Sequence, residues 1–152
     1  MSTETASKYS VEALAFFEAK LLHEISPYGL KTAIAKNDRM QIIDVRKPEA
    51  FDDGHIPGAA NVPLVAPDNF TGALSEATQT ELDKLASELN AEVPVIVYCY
   101  DIYCRLAARV AIYLIKKGFV VKELYGGWGA WAQLNFEKVG SSCATDGGNT
   151  CA

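Results

Sequence analysis

The chain has 152 residues, 49% hydrophobic and 22% charged, with a formal net charge of −5. That length suits one domain, which can bury roughly two-thirds of its unfolded surface and stand without a disulfide or a metal. An acidic balance argues against nucleic acid as a partner, because phosphate binding wants a basic face. No run approaches the ~18 apolar residues of a membrane span, so no membrane partner is expected.

In chain order, residues 1–9 are polar, expected to fray, and lack the basic patch and apolar run of a secretory signal. Ser10 caps a helix to about Glu24, with Leu14, Phe17, Leu21 and Ile25 on one face. Ser26-Pro27, a cap followed by proline at the first helical position, starts a second helix to about Lys36. Gln41–Val45 reads as a short buried strand, and PEAFDDG as a brief helix ending at Gly54. HIPGAANVPL is a turn into a strand around Ala60–Val62, and residues 65–77 are a loop. Thr78-Gln79-Thr80-Glu81 reads as a capping box for a helix to about Leu89, with Leu82, Leu85 and Leu89 inward.

VPVIVYC is the clearest strand: continuous, β-branched and bounded by Pro94. RLAARVAIYLIKKG follows as a helix with Leu106, Val110, Tyr113 and Leu114 apolar, stopped by Gly118. VVKEL is a last strand, and GGWGAWAQL a glycine turn into a short helix that carries Trp128 and Trp131. The remainder, GSSCATDGGNTCA, is small, polar and expected to be disordered. Alternating strands and helices predict a parallel sheet with helices on both faces, and ligands of such sheets bind outside the carboxyl ends of the strands.

Cys99 stands at one of those ends. A loop there runs into a helix N-terminus, where converging amide N–H groups and the helix dipole stabilise a thiolate. The thiol pKa should then fall below the free value of about 8.5, which makes the sulfur reactive at neutral pH. The bland alternative is an inert core thiol. Cys104 is either a small residue facing the helix interior or a redox partner or resolving thiol for Cys99. The latter requires Cα atoms within about 7 Å. Asp44-Val45-Arg46 reads as an acid and a base tying strand to loop, and His55 as a hydrogen-bonded turn residue. Cys143 and Cys151 read as exposed thiols, or as tail groups that take sulfur or electrons from Cys99. Two cysteines do not close a tetrahedral zinc site, so no metal and no cofactor is expected. With no export signal and thiols rather than a disulfide framework, the expected location is the cytoplasm.

The motifs IIDVRKPEAFDDGHIPGAANVP, VYC with its loop, a helix ending KKGF, and ELYGGWGAW, in that order, resemble a single-domain rhodanese from about Gln41 to Leu134. The loop has no Gly or Ser and carries Tyr100, Ile102 and Tyr103. In this it is similar to a subgroup with a longer loop, a second cysteine at the place of Cys104, and an extra N-terminal helical stretch. The resemblance implies an α/β fold with a rhodanese-like parallel five-stranded sheet flanked by helices on both faces. It also implies an N-terminal helical extension over 1–40 packed on the domain, a rhodanese domain over 41–135, and a flexible cysteine-containing tail over 136–152.

The implied activity is sulfur transfer: Cys99 takes a sulfur atom as a persulfide and passes it to an acceptor. Tyr100, Asp101, Ile102, Tyr103, Cys104 and Arg105 form the substrate-binding loop. The expected partners are a small sulfur donor such as thiosulfate or a persulfide, and a cyanide, thiol or protein acceptor, with the chain a monomer. Asp101 is unwelcome beside a thiolate and repels anionic thiosulfate, while Arg105 and Arg109 offset part of that. Two alternatives remain. One is a non-catalytic rhodanese module for redox sensing or partner binding. The other is a phosphatase or arsenate reductase, since Cys99 to Arg105 also fits their spacing.

Overall fold

Val95, Ile96, Val97 and Tyr98 are all buried, a pattern shown by strands covered on both faces. They form the middle of a sheet in the computed structural model, which describes residues 3–64 and 74–141. The strands are β1 (Glu24–Ile25), β2 (Gln41–Asp44), β3 (Ala59–Asn61), β4 (Val95–Tyr98) and β5 (Val121–Leu124). All pairings are parallel, in the order β1-β5-β4-β2-β3. The helices are α1 (Thr3–His23), α2 (Pro27–Ala35), α3 (Pro48–Asp53), α4 (Glu76–Glu88), α5 (Leu106–Lys116) and α6 (Gly127–Gln133). The expected α/β class and five-stranded parallel sheet are present.

Strand parity divides the core. Ile43, Val95, Val97 and Cys99 face one way and pack with Leu82 and Leu85 of α4 and Val110 and Leu114 of α5. Ile42, Ile96, Tyr98 and Leu124 face the other way, against Leu30 of α2 and Trp131 of α6. Local signals act where expected. Ser26 Oγ accepts from Gly29 N at 3.0 Å to start α2, and Gly118 takes φ +96° just past α5.

Several boundaries differ from expectation. The first helix begins at Thr3, ahead of Ser10, and ends at His23, where Ile25 leaves it for β1. Its Leu14, Phe17 and Leu21 stand in solvent at 59%, 59% and 81% exposure. Helices already cover both sheet faces, so α1 meets β1 and β5 at one edge, and its Ala19, Lys20 and His23 line a cavity with Ala108 and Ala111 of α5. Both β1 and α2 precede residue 41, yet Leu30 is fully buried and β1 completes the sheet. Helix α4 starts from Ser75, whose Oγ accepts from Thr78 N at 3.2 Å, so Thr78 lies within the helix rather than capping it. Strand β3 sits one residue earlier than expected. Most of the expected loop over 65–77, and the tail with Cys143 and Cys151, lie outside the described residues.

Candidate active site

Strands β2 and β4 are neighbours in register, Asp44 opposite Tyr98, so the chain leaves both at the same end of the sheet. After β4 it enters residues 99–105, and α5 begins at Leu106. Cys99 is thus at the carboxyl end of the central strand. Its parity with Val95 and Val97 turns the side chain toward α5, where it is 2% exposed.

Helix α6 holds the loop from behind. Trp128 N donates to Cys99 O at 2.9 Å, and Gly129 N to Tyr100 O at 2.7 Å. A trans peptide points its N–H opposite to its C=O, so these bonds turn the Tyr100 and Asp101 amides away from α6. The approach needs glycine: Gly127 has φ +58°, and a Cβ there would lie 2.7 Å from Cys99 O. From the other side, Tyr100 Oη accepts from Lys47 N at 3.2 Å.

The far half of the loop is folded by Asp101. Its Oδ1 accepts from Tyr103 N at 2.8 Å and Cys104 N at 3.1 Å, a side chain–backbone turn typical of Asp. The Tyr103 and Cys104 amides thus serve a carboxylate of the chain itself. Ile102 and Tyr103 extend into solvent. Cys99 and Cys104 are joined by a disulfide, with Cα atoms 6.3 Å apart. The Cys99 sulfur accordingly lies against the core. An incoming oxyanion, as a phosphatase or arsenate reductase would bind, would compete with Asp101 for the same amides.

A cleft of about 200 Å³ opens beside this loop, lined by Asp101, Cys104, Arg105, Glu123 and the Lys20–Glu24 pair, whose Nζ and Oε2 are 2.9 Å apart. Cys104 is the loop sulfur on its wall. Burial pushes the Glu123 carboxyl above its ordinary value, with the Glu24 charge adding and Arg105 and Lys20 opposing. Neither Glu123 nor the Lys20–Glu24 pair was singled out from sequence. The available signal was a glutamate inside an otherwise strand-like VVKEL.

The Asp44–Arg46 tie is present and buried. Arg46 Nε and Nη2 reach Asp44 Oδ1 and Oδ2 at 3.0 and 2.7 Å, and Nη2 also donates to Gly54 O at 2.6 Å. Trp128 covers this guanidinium, with the ring centroid 4.5 Å from Cζ, and so faces away from the cleft. Tyr98 is raised far above its usual range, by burial first and then by the Asp44 charge. His55 Nδ1 lies 2.8 Å from Phe51 O, and its ring stacks on Phe51, which suits a turn residue. Among the described residues no three His, Cys, Asp or Glu side chains gather as a metal would need, and no helix is long and apolar enough to cross a membrane.

A family model described as "Rhodanese-like domain" matches residues 26–134. Among curated proteins, YqhL of Bacillus subtilis (strain 168) is 29% identical over 129 residues, covering 78% of this chain and 89% of that protein. The "Putative sulfur carrier protein YrkF" of the same organism is 28% identical over 101 residues, which is 66% of this chain. This chain spans 45% of the length of YrkF. Among solved structures, the BH2092 protein from Bacillus halodurans aligns at 28% identity and TM-score 0.71 over 90% of each chain. A rhodanese-related protein from Thermoplasma volcanium shares the fold at 20% identity and TM-score 0.59, over 77% of this chain and 97% of its own.

Proposed function

The chain belongs to the rhodanese-like domain family, and on that premise we propose that it is a sulfurtransferase with Cys99 as the nucleophile. With the disulfide reduced, the Cys99 thiolate attacks the outer sulfur of thiosulfate. The donor S–S bond breaks, sulfite leaves with its electron pair, and Cys99 holds an anionic persulfide. Cyanide, a small thiol or a protein thiol then attacks the outer sulfur and frees the Cys99 thiolate. The observation that carries this reading is the seat of Cys99. It ends the central strand, and α6 draws the Cys99 and Tyr100 carbonyls back so that two loop amides turn the other way. Those amides would hold the charge of the outer sulfur, with Arg105 drawing in the anionic donor. We place this chemistry in the cytoplasm, where thiols keep the pair reduced, and on a monomer.

The test is the first half-reaction. Reduced, desalted protein mixed with thiosulfate should release a burst of one sulfite per chain, and Cys99→Ser should release none. Cys99→Ser protein that matched the wild-type burst would overturn the assignment. A second reading, a module that senses redox state without transferring sulfur, is favoured by the disulfide. It predicts no sulfite burst while a dithiol still opens and air still closes the Cys99–Cys104 bond.

A further inference from the structure

Two sulfur atoms share this loop, and they are held differently. Cys99 is 2% exposed and fixed by β4 and by α6, whereas Cys104 is partly exposed and lines the cleft. The Asp101 turn fixes the Cys104 backbone, and the Cα atoms stand 6.3 Å apart with the sulfurs bonded. The loop therefore already places Cys104 Sγ on Cys99 Sγ. In a Cys99 persulfide that atom is the inner sulfur.

We propose that Cys104 resolves the Cys99 persulfide within the chain, so that the product is hydrosulfide and the domain acts as a sulfane-sulfur reductase driven by an external dithiol. This rests on the sulfurtransferase reading above and names its acceptor. The outer sulfur of the persulfide takes the proton that the Cys104 thiol gives up. The Cys104 thiolate attacks Cys99 Sγ, the bond between inner and outer sulfur breaks, and hydrosulfide leaves with the electron pair. The sulfane sulfur has gained two electrons, and the two cysteines, each losing one, are joined as the disulfide. A dithiol then attacks Cys104 Sγ from the cleft and expels the buried Cys99 thiolate. Its second thiol closes the mixed disulfide, which leaves the dithiol oxidised and the pair reduced. Attack within the chain is favoured over an outside thiol because both sulfurs are already held together.

The test uses the full-length chain carrying Cys143→Ser and Cys151→Ser, so that only the loop sulfurs count. It is reduced, desalted and treated with thiosulfate in the absence of reductant. Sulfite and hydrosulfide are measured, with intact mass and peptide mapping. The expected result is one sulfite and one hydrosulfide per chain, and a final mass two hydrogens below the reduced chain. With Cys104→Ser added, sulfite should still be released, the chain should gain one sulfur atom on Cys99, and hydrosulfide should be lost until dithiothreitol is added, whereas cyanide should carry the sulfur off as thiocyanate. Cys104→Ala should behave alike and covers a folding defect in the serine variant. A parent chain that keeps the extra sulfur on Cys99 or on Cys104, with no hydrosulfide, would overturn the inference and leave the sulfurtransferase reading standing. If neither the parent nor the Cys104 variants release sulfite, the underlying reading fails instead.

Discussion

The loops that follow β2 and β4 start side by side and use their polar groups in opposite ways. After β2, Asp44 is 0% exposed and Arg46 2%; each is spent on the other, and Arg46 also donates to Gly54 O. After β4, Asp101, Arg105 and Tyr103 lie at the surface, and the loop is held chiefly through its backbone by α6 and the Asp101 turn. A buried, mutually satisfied ion pair fixes geometry but has no capacity left for a ligand. A loop anchored through its backbone leaves its side chains at the surface, with Cys104 on the cleft wall. Adjacent strand ends of one sheet thus close their polar groups on one side and present them on the other.

The contrast can be broken experimentally. Asp44→Ala leaves Arg46 buried and unpaired, so it should cost about 3–5 kcal/mol of stability in urea unfolding while each folded chain still releases its sulfite. A loss below about 1 kcal/mol would mean the pair is no more structural than a surface one. Gly127→Ala comes next. A side chain at φ +58°, pressed on Cys99 O, should cost about 1–3 kcal/mol and also slow the sulfite burst, because it displaces the loop itself. Stability loss without any kinetic change would remove α6 from the account of the site.

Asp101 sharpens the comparison by separating shape from charge. Asp101→Asn keeps an oxygen for the Tyr103 and Cys104 amides and loses the repulsion. Uptake from thiosulfate should rise roughly two- to five-fold at low salt and less at high salt. Asp101→Ala loses the turn as well and should not match that gain. The smallest effect belongs to Glu123. Its folded pKa is raised by burial, so its favourable contribution is complete below the usual carboxylate range and is lost as pH rises through the raised value. Glu123→Gln should therefore gain stability relative to wild type from about pH 4 upward and then level off. A difference that stays flat across that window would place Glu123 in water.

What could be read from the residues alone followed how local each signal is. Strand β4, the seat of Cys99 at its end, and helices α2, α3, α5 and α6 are set by continuous apolar runs, Ser26-Pro27, Gly54 and Gly118, all neighbours in sequence. Strand β1 could not be read. It has two residues and exists because Ile25 and Glu24 lie beside Leu124 and Glu123. The periodicity of α1 marks an apolar face but not whether anything will cover it. Asp101 was legible as a charge, whereas its turn competes with that reading and is decided by the amides two and three positions on. The cleft joins residues from α1, β1, the loop and β5, and no spacing within one segment announces it.

The pairing of β1 with β5 also governs how the molecule breathes. It joins segments near opposite ends of the described fold, so it closes the longest chain loop in the sheet for only two residues of ladder. Such a contact forms late and opens early, below the cost of global unfolding. The Tyr125 amide, bonded to Ile25 O at 2.9 Å, should then exchange with solvent well ahead of the Val97 amide in the central strand. Each such opening should carry Lys20 of α1 and Glu24 of β1 away from Glu123, return Glu123 to water, and widen the approach to Cys104 while the disulfide stays intact.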